Sequence, residues 1–268
     1  MEIIVSDLAK LYGISNQTLH YYEDKNILHP KRNVINNYRY YESSDLKLLG
    51  TIKKYRNAEF SLQDTLSFCG YCNEQDIISQ YQKQKEFLYD EIEKKHQIIR
   101  QLDDDLLLYK SYKENGTAFF TEELEGFLMF ESPAKEIIFQ NQDMRKEAIP
   151  WFKNILHTRA SQMFYIDEDT KKISKYTYGM LASVSIVKFL NLTATENVKE
   201  IKGGNFVTSI TNTSSDKTLE ELLYDCMEFI NDNNYKMRGR PFAKTIFAFS
   251  NNNKEHELLK QILIPVYI

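Results

Sequence analysis

The chain has 268 residues, 34 basic and 38 acidic side chains, a formal net charge of −4, 42% hydrophobic and 27% charged residues, and three cysteines. That length suits one large or two ordinary domains with a real core, so no disulfide or metal staple is needed, and the composition excludes disordered and collagen-like chains. The longest apolar runs are a few residues, too short for a membrane span, and the Met-Glu-Ile-Ile-Val-Ser-Asp start lacks the basic and apolar stretches of a signal peptide, so a cytoplasmic protein is expected.

Residues 3–23 predict two short helices joined by a tight turn. Ser6 is a candidate N-cap, Leu8, Ala9 and Leu11 share a face, and Gly13 suits a left-handed helix end. Ile14 fills the angle between the helices. Ser15 opens a second helix that runs through Asn16, Gln17, Thr18, Leu19, His20, Tyr21, Tyr22 and Glu23. This is helix-turn-helix spacing, which lays the start of the second helix in a DNA major groove, where Asn16, Gln17 and Thr18 suit base edges or phosphates. A plain helical hairpin has the same pattern. After Leu28-His29-Pro30, the Asn36-Asn37 pair and the Tyr38-Arg39-Tyr40-Tyr41 run predict a small hairpin, or wing. Further helices start near Ser44 and at Ser61.

Residues 76–113 contain neither Pro nor Gly. Ile78, Tyr81, Lys85, Leu88, Ile92, Lys95, Ile99, Leu102, Leu106 and Tyr109 recur at spacings of three and four, a heptad register with two Lys interruptions. From Ile78 to Tyr109 such a helix spans roughly 48 Å at ~1.5 Å per residue. Its apolar seam needs a partner, and a second copy is the simplest one, with an intramolecular helical bundle as the alternative. Asn115-Gly116 ends it.

From 118 onward strands and helices mix. Gly126–Glu131 and Ala134–Phe139 are expected as strands around Ser132-Pro133, and 143–157 as a helix. Gln162–Ile166, Tyr176–Val187 and Asn205–Ile210 are expected strands, Thr218–Asn231 an amphipathic helix, and 242–249 and 261–267 closing strands. That order suggests an α+β domain.

The first part resembles the MerR family of transcriptional regulators. The resemblance rests on Val5-Ser6-Asp7-Leu8-Ala9, Gly13-Ile14-Ser15, Thr18-Leu19-His20-Tyr21-Tyr22-Glu23, Leu28-His29-Pro30, Arg32, Tyr38-Arg39-Tyr40-Tyr41 and Phe60-Ser61-Leu62. It implies a multidomain protein. A winged helix-turn-helix occupies 1–75, an antiparallel coiled-coil dimerisation helix and linker 76–117, and a sensing domain 118–268. It also implies DNA-binding roles for Ser15, Asn16, Gln17, Thr18, His20, Tyr21, Tyr22 and Arg32, for Tyr38, Arg39 and Tyr41 in the wing, and for Arg56 in a second wing. Tyr22 and Tyr40 are alternative core residues. Two departures stand out. His20 replaces the family's usual Arg, and Ala58-Glu59 stands where the family favours Gly before Phe60-Ser61-Leu62.

The last part resembles the GyrI-like effector-binding domain of drug-sensing MerR relatives. The residues are Glu131-Ser132-Pro133-Ala134, Gly203-Gly204-x-Phe206 and Ile262-Leu263-Ile264-Pro265-Val266. The resemblance implies an aromatic-lined cleft for a small amphipathic effector, with Trp151, Tyr165, Tyr176, Tyr178, Phe206, Tyr224, Tyr235 and Phe247 as candidates. For any single ring, plain core is the more ordinary place. Relatives that bind cations carry an acid near the start of the penultimate strand. Pro241-Phe242-Ala243-Lys244 has none, which leaves a neutral or anionic effector open. Arg238 and Arg240 could serve an anion, although solvated positions are the more ordinary reading.

Cys69-Gly70-Tyr71-Cys72 is an isolated CxxC, read as packing or free thiols, and Cys226 falls on an apolar helix face. The histidines lack metal spacing, and no phosphate loop or nucleophile elbow is present, so no metal, no cofactor and no enzyme activity are expected. The residues and resemblances together imply a homodimeric, ligand-responsive regulator. It would bind double-stranded promoter DNA and activate by distorting the operator for RNA polymerase. A drug-sequestering binding protein and a GyrI-like hydrolase are the rival readings. Residues 1–75 carry nine basic and nine acidic side chains, compatible with a few placed contacts and not with electrostatic coating of DNA.

Overall fold

A computed structural model describes residues 3–34, 37–70, 73–133, 137–167, 172–212, 218–250 and 256–268. The chain forms two compact units, Met1–Lys94 and Lys95–Ile268.

In the first unit, β1 (Ile3–Ile4) leads into α1 (Val5–Tyr12) and α2 (Asn16–Asp24). The wing strands β2 (Lys31–Arg32) and β3 (Arg39–Tyr41) follow, and then α3 (Ser43–Asn57) and α4 (Leu62–Cys69). The long α5 (Glu74–Asn115) begins in this unit and ends in the other. Gly13 closes α1 at φ +60, and the Ser15 side chain accepts the Thr18 N–H to open α2, as expected. Ser6 is not a cap. It lies inside α1, whose N-cap is Ile4 with no side-chain cap bond. Tyr41 and Tyr40 of β3 pair with Ile3 and Ile4, so the wing is a three-stranded sheet where a two-stranded hairpin was expected. Asn36 lies outside the described residues. Glu42 opens α3 in a reciprocal capping box with Asp45. Leu8, Leu19, Leu28, Tyr41, Leu49 and Ile52 form the core, each at 1% exposure or less. Burying each aliphatic chain contributes about 1.5–3 kcal/mol.

The departure at Ala58-Glu59 has a geometric meaning. Glu59 sits at φ +63, the left-handed region that glycine enters freely and a β-carbon disfavours. Beyond that turn Tyr55, Phe60, Phe68 and Tyr81 stack with ring centroids 4.6–6.2 Å apart, and Gln84 Nε2 donates to the Ala58 carbonyl at 3.1 Å. Tyr81, expected on the coiled-coil seam, therefore also ties the start of α5 to α3 and α4.

The second unit adds β4 (Phe120–Leu124), β5 (Phe127–Ser132), α6 (Ile137–Gln140), α7 (Gln142–Lys153), β6 (Arg159–Ile166), β7 (Ile173–Ser183) and α8 (Val184–Phe189). It continues through β8 (Val198–Ile201), β9 (Gly204–Asn212), α9 (Leu219–Asp232), β10 (Lys236–Met237), β11 (Phe242–Ser250) and β12 (His256–Tyr267). The main sheet runs β4-β9-β12-β11-β6-β7-β5-β8, with β10 paired to β12. Two β-α-β-β halves, β5-α7-β6-β7 and β9-α9-β11-β12, meet at the antiparallel β6–β11 pair, where Lys244 stands opposite Ser161.

Alternation along the strands sorts the side chains onto two faces. One face packs under α7 and α9 through Phe130, Phe164, Val207, Ala243 and Ile262. The other face gathers Phe127, Met129, Met163, Phe206, Phe242 and Leu263. At one end of it Leu108 and Tyr112 of α5 pack against Ile210, Ile246 and Leu259.

Three expectations change. The strand predicted over Ala134–Phe139 is helical at Ile137–Gln140, while 134–136 lie outside the described residues. The strand predicted through Val187 stops at Ser183, whose side chain accepts the Ile186 N–H and starts α8. Residues 76–117 do not stand apart as a module, because the unit boundary falls inside α5.

Candidate nucleic-acid interface and ligand cavity

In the first unit the start of α2 faces solvent. Ser15, Asn16 and Gln17 are exposed and Thr18 is part-exposed. A groove between this helix end and the wing is lined by Ser6, Asn16, Arg32, Tyr38 and Arg39. Tyr38 and Tyr21 are exposed, and so is Arg56, whose Nη1 donates to the Phe60 carbonyl.

One carboxylate holds helix and wing together. Glu23 Oε1 accepts the Tyr41 hydroxyl at 2.6 Å, and Glu23 Oε2 lies 3.3 Å from Arg39 Nη1 and 3.2 Å from His20 Nδ1. Arg39 Nη1 is also 2.7 Å from His20 Nδ1. Arg39 and His20 thus brace α2 against β3 while each keeps a part-exposed edge. Tyr41 is a correction to its expected place. It is fully buried, and burial with the Glu23 charge beside it pushes its phenol well above the ordinary range, so it braces the wing from inside and offers no phosphate contact. Tyr22 is buried as well, and that burial raises its pKa, whereas Tyr40 is part-exposed.

In the second unit the aromatic residues chosen from sequence do not assemble into one cleft. Trp151 of α7 is core, packed onto the sheet, and Tyr176 and Tyr178 stand on the helix-covered face. Tyr224 accepts the Ile173 N–H, and Tyr235 packs on the α9 core. Phe247 stacks on Tyr109 of α5. Phe206 lies on the opposite face, which neither α7 nor α9 covers, and is fully buried there with its ring against Phe127 and Phe242. Tyr165 shares that face, and its hydroxyl donates to Glu131 Oε1 at 2.8 Å. The reason is strand parity. Neighbouring aromatic residues of one strand point to opposite faces, and sequence alone does not say which face α7 and α9 will cover.

Sequence reasoning also missed a buried acid. Glu131, on β5 and not on the penultimate strand, accepts the Tyr165 and Thr177 hydroxyls and sits 3.6 Å from Arg240. Arg240 lies 4.4 Å over the Tyr165 ring, and Arg238 lies over Phe206 and donates to the Lys202, Asn205 and Val266 carbonyls. Neither arginine is simply solvated, a second correction.

The same face carries a cavity of about 470 Å³, within the range of small-molecule sites. The inner side of α5 (Gln97, Gln101, Asp105, Leu108) forms one wall, and Phe127, Arg159, Leu181 and Lys244 form the other. Arg159 Nη2 clasps both oxygens of Asp105, at 2.6 and 2.7 Å, a largely buried pair that joins helix to sheet. Burial lowers the pKa of the Lys244 ammonium. At the rim, burial and then the charge of Arg159 lower that of His157, whose Nδ1 is enclosed without a hydrogen-bond partner among the described residues. The signals in sequence were a charge inside an apolar strand, Lys244, and the Asp103-Asp104-Asp105 run, which reads as a solvated helix face.

Cys69 packs against the first core, and burial raises its pKa, while burial pushes that of Cys226 up to about 12. Cys72, the other half of the CxxC, lies outside the described residues. No helix among the described residues is long and apolar enough to cross a membrane.

Residues 4–65 match the family described as MerR HTH family regulatory protein. The HTH-type transcriptional activator mta of Bacillus subtilis (strain 168) is 29% identical over 107 residues, 40% of this chain and 41% of that protein. An uncharacterized HTH-type transcriptional regulator, slr0701 of Synechocystis sp. (strain ATCC 27184 / PCC 6803 / Kazusa), is 36% identical over 63 residues, 23% of this chain and 45% of that one. The chain thus spans less than half the length of these curated relatives. Among solved structures, the EcmrR–DNA complex in EcmrR-RPo, determined by cryo-EM, matches at 16% identity. That alignment covers 98% of this chain and 99% of the other, with a TM-score of 0.36. Family match and geometry coincide on the same residues: the N-terminal segment of this chain is a helix-turn-helix domain of the MerR family.

Proposed function

We propose that the chain is a transcription regulator that reads promoter DNA as a homodimer and senses a small molecule through its C-terminal unit. The observation that carries this reading is the exposed Ser15–Thr18 end of α2, braced against the wing through Glu23, Arg39 and Tyr41. Such an end supplies base contacts from Asn16, Gln17 and Thr18, while His20, Tyr21, Arg32, Tyr38, Arg39 and Arg56 supply backbone contacts. Tyr22 and Tyr41 serve the reader from its core. Pairing would run along α5, where Ile78, Ile92, Ile99, Leu102 and Leu106 are each 45–53% exposed, an antiparallel seam awaiting a second copy. By family resemblance the dimer distorts its operator and presents it to RNA polymerase, with effector binding biasing two dimer arrangements.

Fluorescence anisotropy on the DNA upstream of the chain's own coding sequence tests the reading. Binding that weakens steeply with salt is expected. Arg39→Ala should weaken binding on every sequence alike, whereas Gln17→Ala should relax base preference. No binding at low salt overturns the reading. Sedimentation of Leu102→Glu tests the seam: a monomer is expected, and an unchanged dimer would move pairing elsewhere.

A further inference from the structure

The cavity beneath α5 contains a charge without a counterpart in contact. Lys244 projects from the β6–β11 junction of the two halves, and among the described residues its ammonium makes no hydrogen bond or ion pair. Its Nζ lies over the ring of Phe127, 5.7 Å from the centroid. The acids around it are largely engaged elsewhere. Asp105 is clasped by Arg159, and Glu122 of β4 accepts Gln261 Nε2 at 2.9 Å. Asp104 of α5 is exposed and outside ion-pair distance. At the rim, Glu125 accepts the Ser185 hydroxyl and N–H. The unpaired Lys244 side chain therefore lines a cavity whose other walls include Phe127, Leu181, Leu108 and Ile246.

An enclosed ammonium with idle donors is costly until an acceptor of opposite charge arrives. A carboxylate or sulfonate would accept from it in charge-assisted bonds, while its apolar body covers the surrounding side chains. A cationic ligand would face Lys244 and Arg159, with the exposed Asp104 as the one cavity carboxylate not already paired among the described residues.

We propose that this cavity binds a small organic monoanion, a carboxylate or sulfonate on an apolar body, with the Lys244 ammonium as its receptor. This rests on the sensing role proposed above and assigns it a ligand class. The occupant would touch Gln97, Gln101 and Leu108, so the pairing helix itself forms part of the site.

Calorimetric titration of the full chain with three matched probes tests it: naphthalene-2-carboxylate, 2-naphthylmethylammonium and 2-naphthamide. The carboxylate should bind about tenfold or more tighter than either of the others, the size expected of one charge-assisted hydrogen bond. Lys244→Met should abolish that preference, leaving the amide unaffected, and Lys244→Arg should keep it. Carboxylate affinity should fall as pH rises through the ammonium's titration, below its ordinary 10.5. That titration is set by burial and by Glu122, Arg159, Asp105 and Asp104 around the amine.

Equal or tighter binding of the ammonium or amide probe overturns the proposal. So does no binding of any probe at millimolar concentration, or an unchanged carboxylate affinity in Lys244→Met with native Trp151 emission. Should Lys244→Met not fold, Lys244→Gln replaces it, and the probe ranking on the native chain decides without either. The upstream-DNA assay is read separately. Anion preference without DNA binding sinks the regulator reading and spares the cavity, and the reverse sinks only the anion.

Discussion

The two units carry their working residues in opposite ways. In the first, the candidate interface comes from one short stretch, Ser15–Thr18, and a wing some twenty residues on, held together by the single carboxylate of Glu23. In the second, the cavity is assembled from α5, β5, β6, β7 and β11, separated by up to about 150 positions in the chain. A site built from local geometry is written almost continuously in the sequence. A site built from distant strands exists only once the sheet has closed and one face has been covered.

The largest expected effect tests how far the cavity depends on its helix wall. Asp105→Ala strands the enclosed Arg159 guanidinium, which should cost about 3 kcal/mol. Denaturant unfolding followed by Trp151 emission measures it, since the chain's single Trp lies in the second unit. An unchanged midpoint would mean that the helix is not anchored there. Glu23→Gln applies the same logic to the reader. It weakens the charge-assisted bonds to Tyr41 and Arg39 and should cost about 2 kcal/mol. Affinity for the upstream DNA should fall while the Trp151 midpoint stays put, and a shift of both would show that the units are not independent.

A smaller effect is expected at Glu59. Glycine there relieves the left-handed strain, so Glu59→Gly should stabilise the first unit by up to ~1 kcal/mol, read by thermal melting. A loss of stability would overturn the strain argument. The smallest effect concerns pH. Burial and Arg159 hold the pKa of His157 below the ordinary 6.5, so the unfolded chain binds that proton more readily than the folded one. The stability this contributes is complete above pH 6.5 and declines as pH falls below it. His157→Gln should flatten that part of the Trp151 stability profile, and an identical acid slope in the variant would exclude His157 as its source.

Much of the first unit was readable beforehand because its rules are short-range. Gly13 had to adopt a positive φ, Ser15 had to cap, and the tyrosines had to alternate through a strand. Tyr41 escaped that reading because the third strand, β1, and the inward-facing Glu23 enclose it. The Ser6 cap failed for a related reason. Pairing of Ile3 and Ile4 with β3 moves the start of α1 forward to Val5. In the second unit most strands and the α9 helix were anticipated, since alternation and a Thr218 capping box are local signals. Ile137–Gln140 was not, because a three-residue apolar run has no periodicity to separate helix from strand.

The long apolar seam of α5, its uninterrupted length and the helix-turn-helix order before it follow from spacing alone, because 3.6-residue periodicity and capping act over a few residues. The use of the flank of α5 beside that seam did not follow. Asp105 and Leu108 look like ordinary positions of a solvated helix until β6, β11 and β12 form a surface for them to cover. Lys244 illustrates the same limit. Its charge is plain in the sequence, but its isolation is a property of the fold. Antiparallel pairing sets it at the junction of two halves, strand parity points it toward α5, and two of the acids nearby, Asp105 and Glu122, are engaged by Arg159 and Gln261.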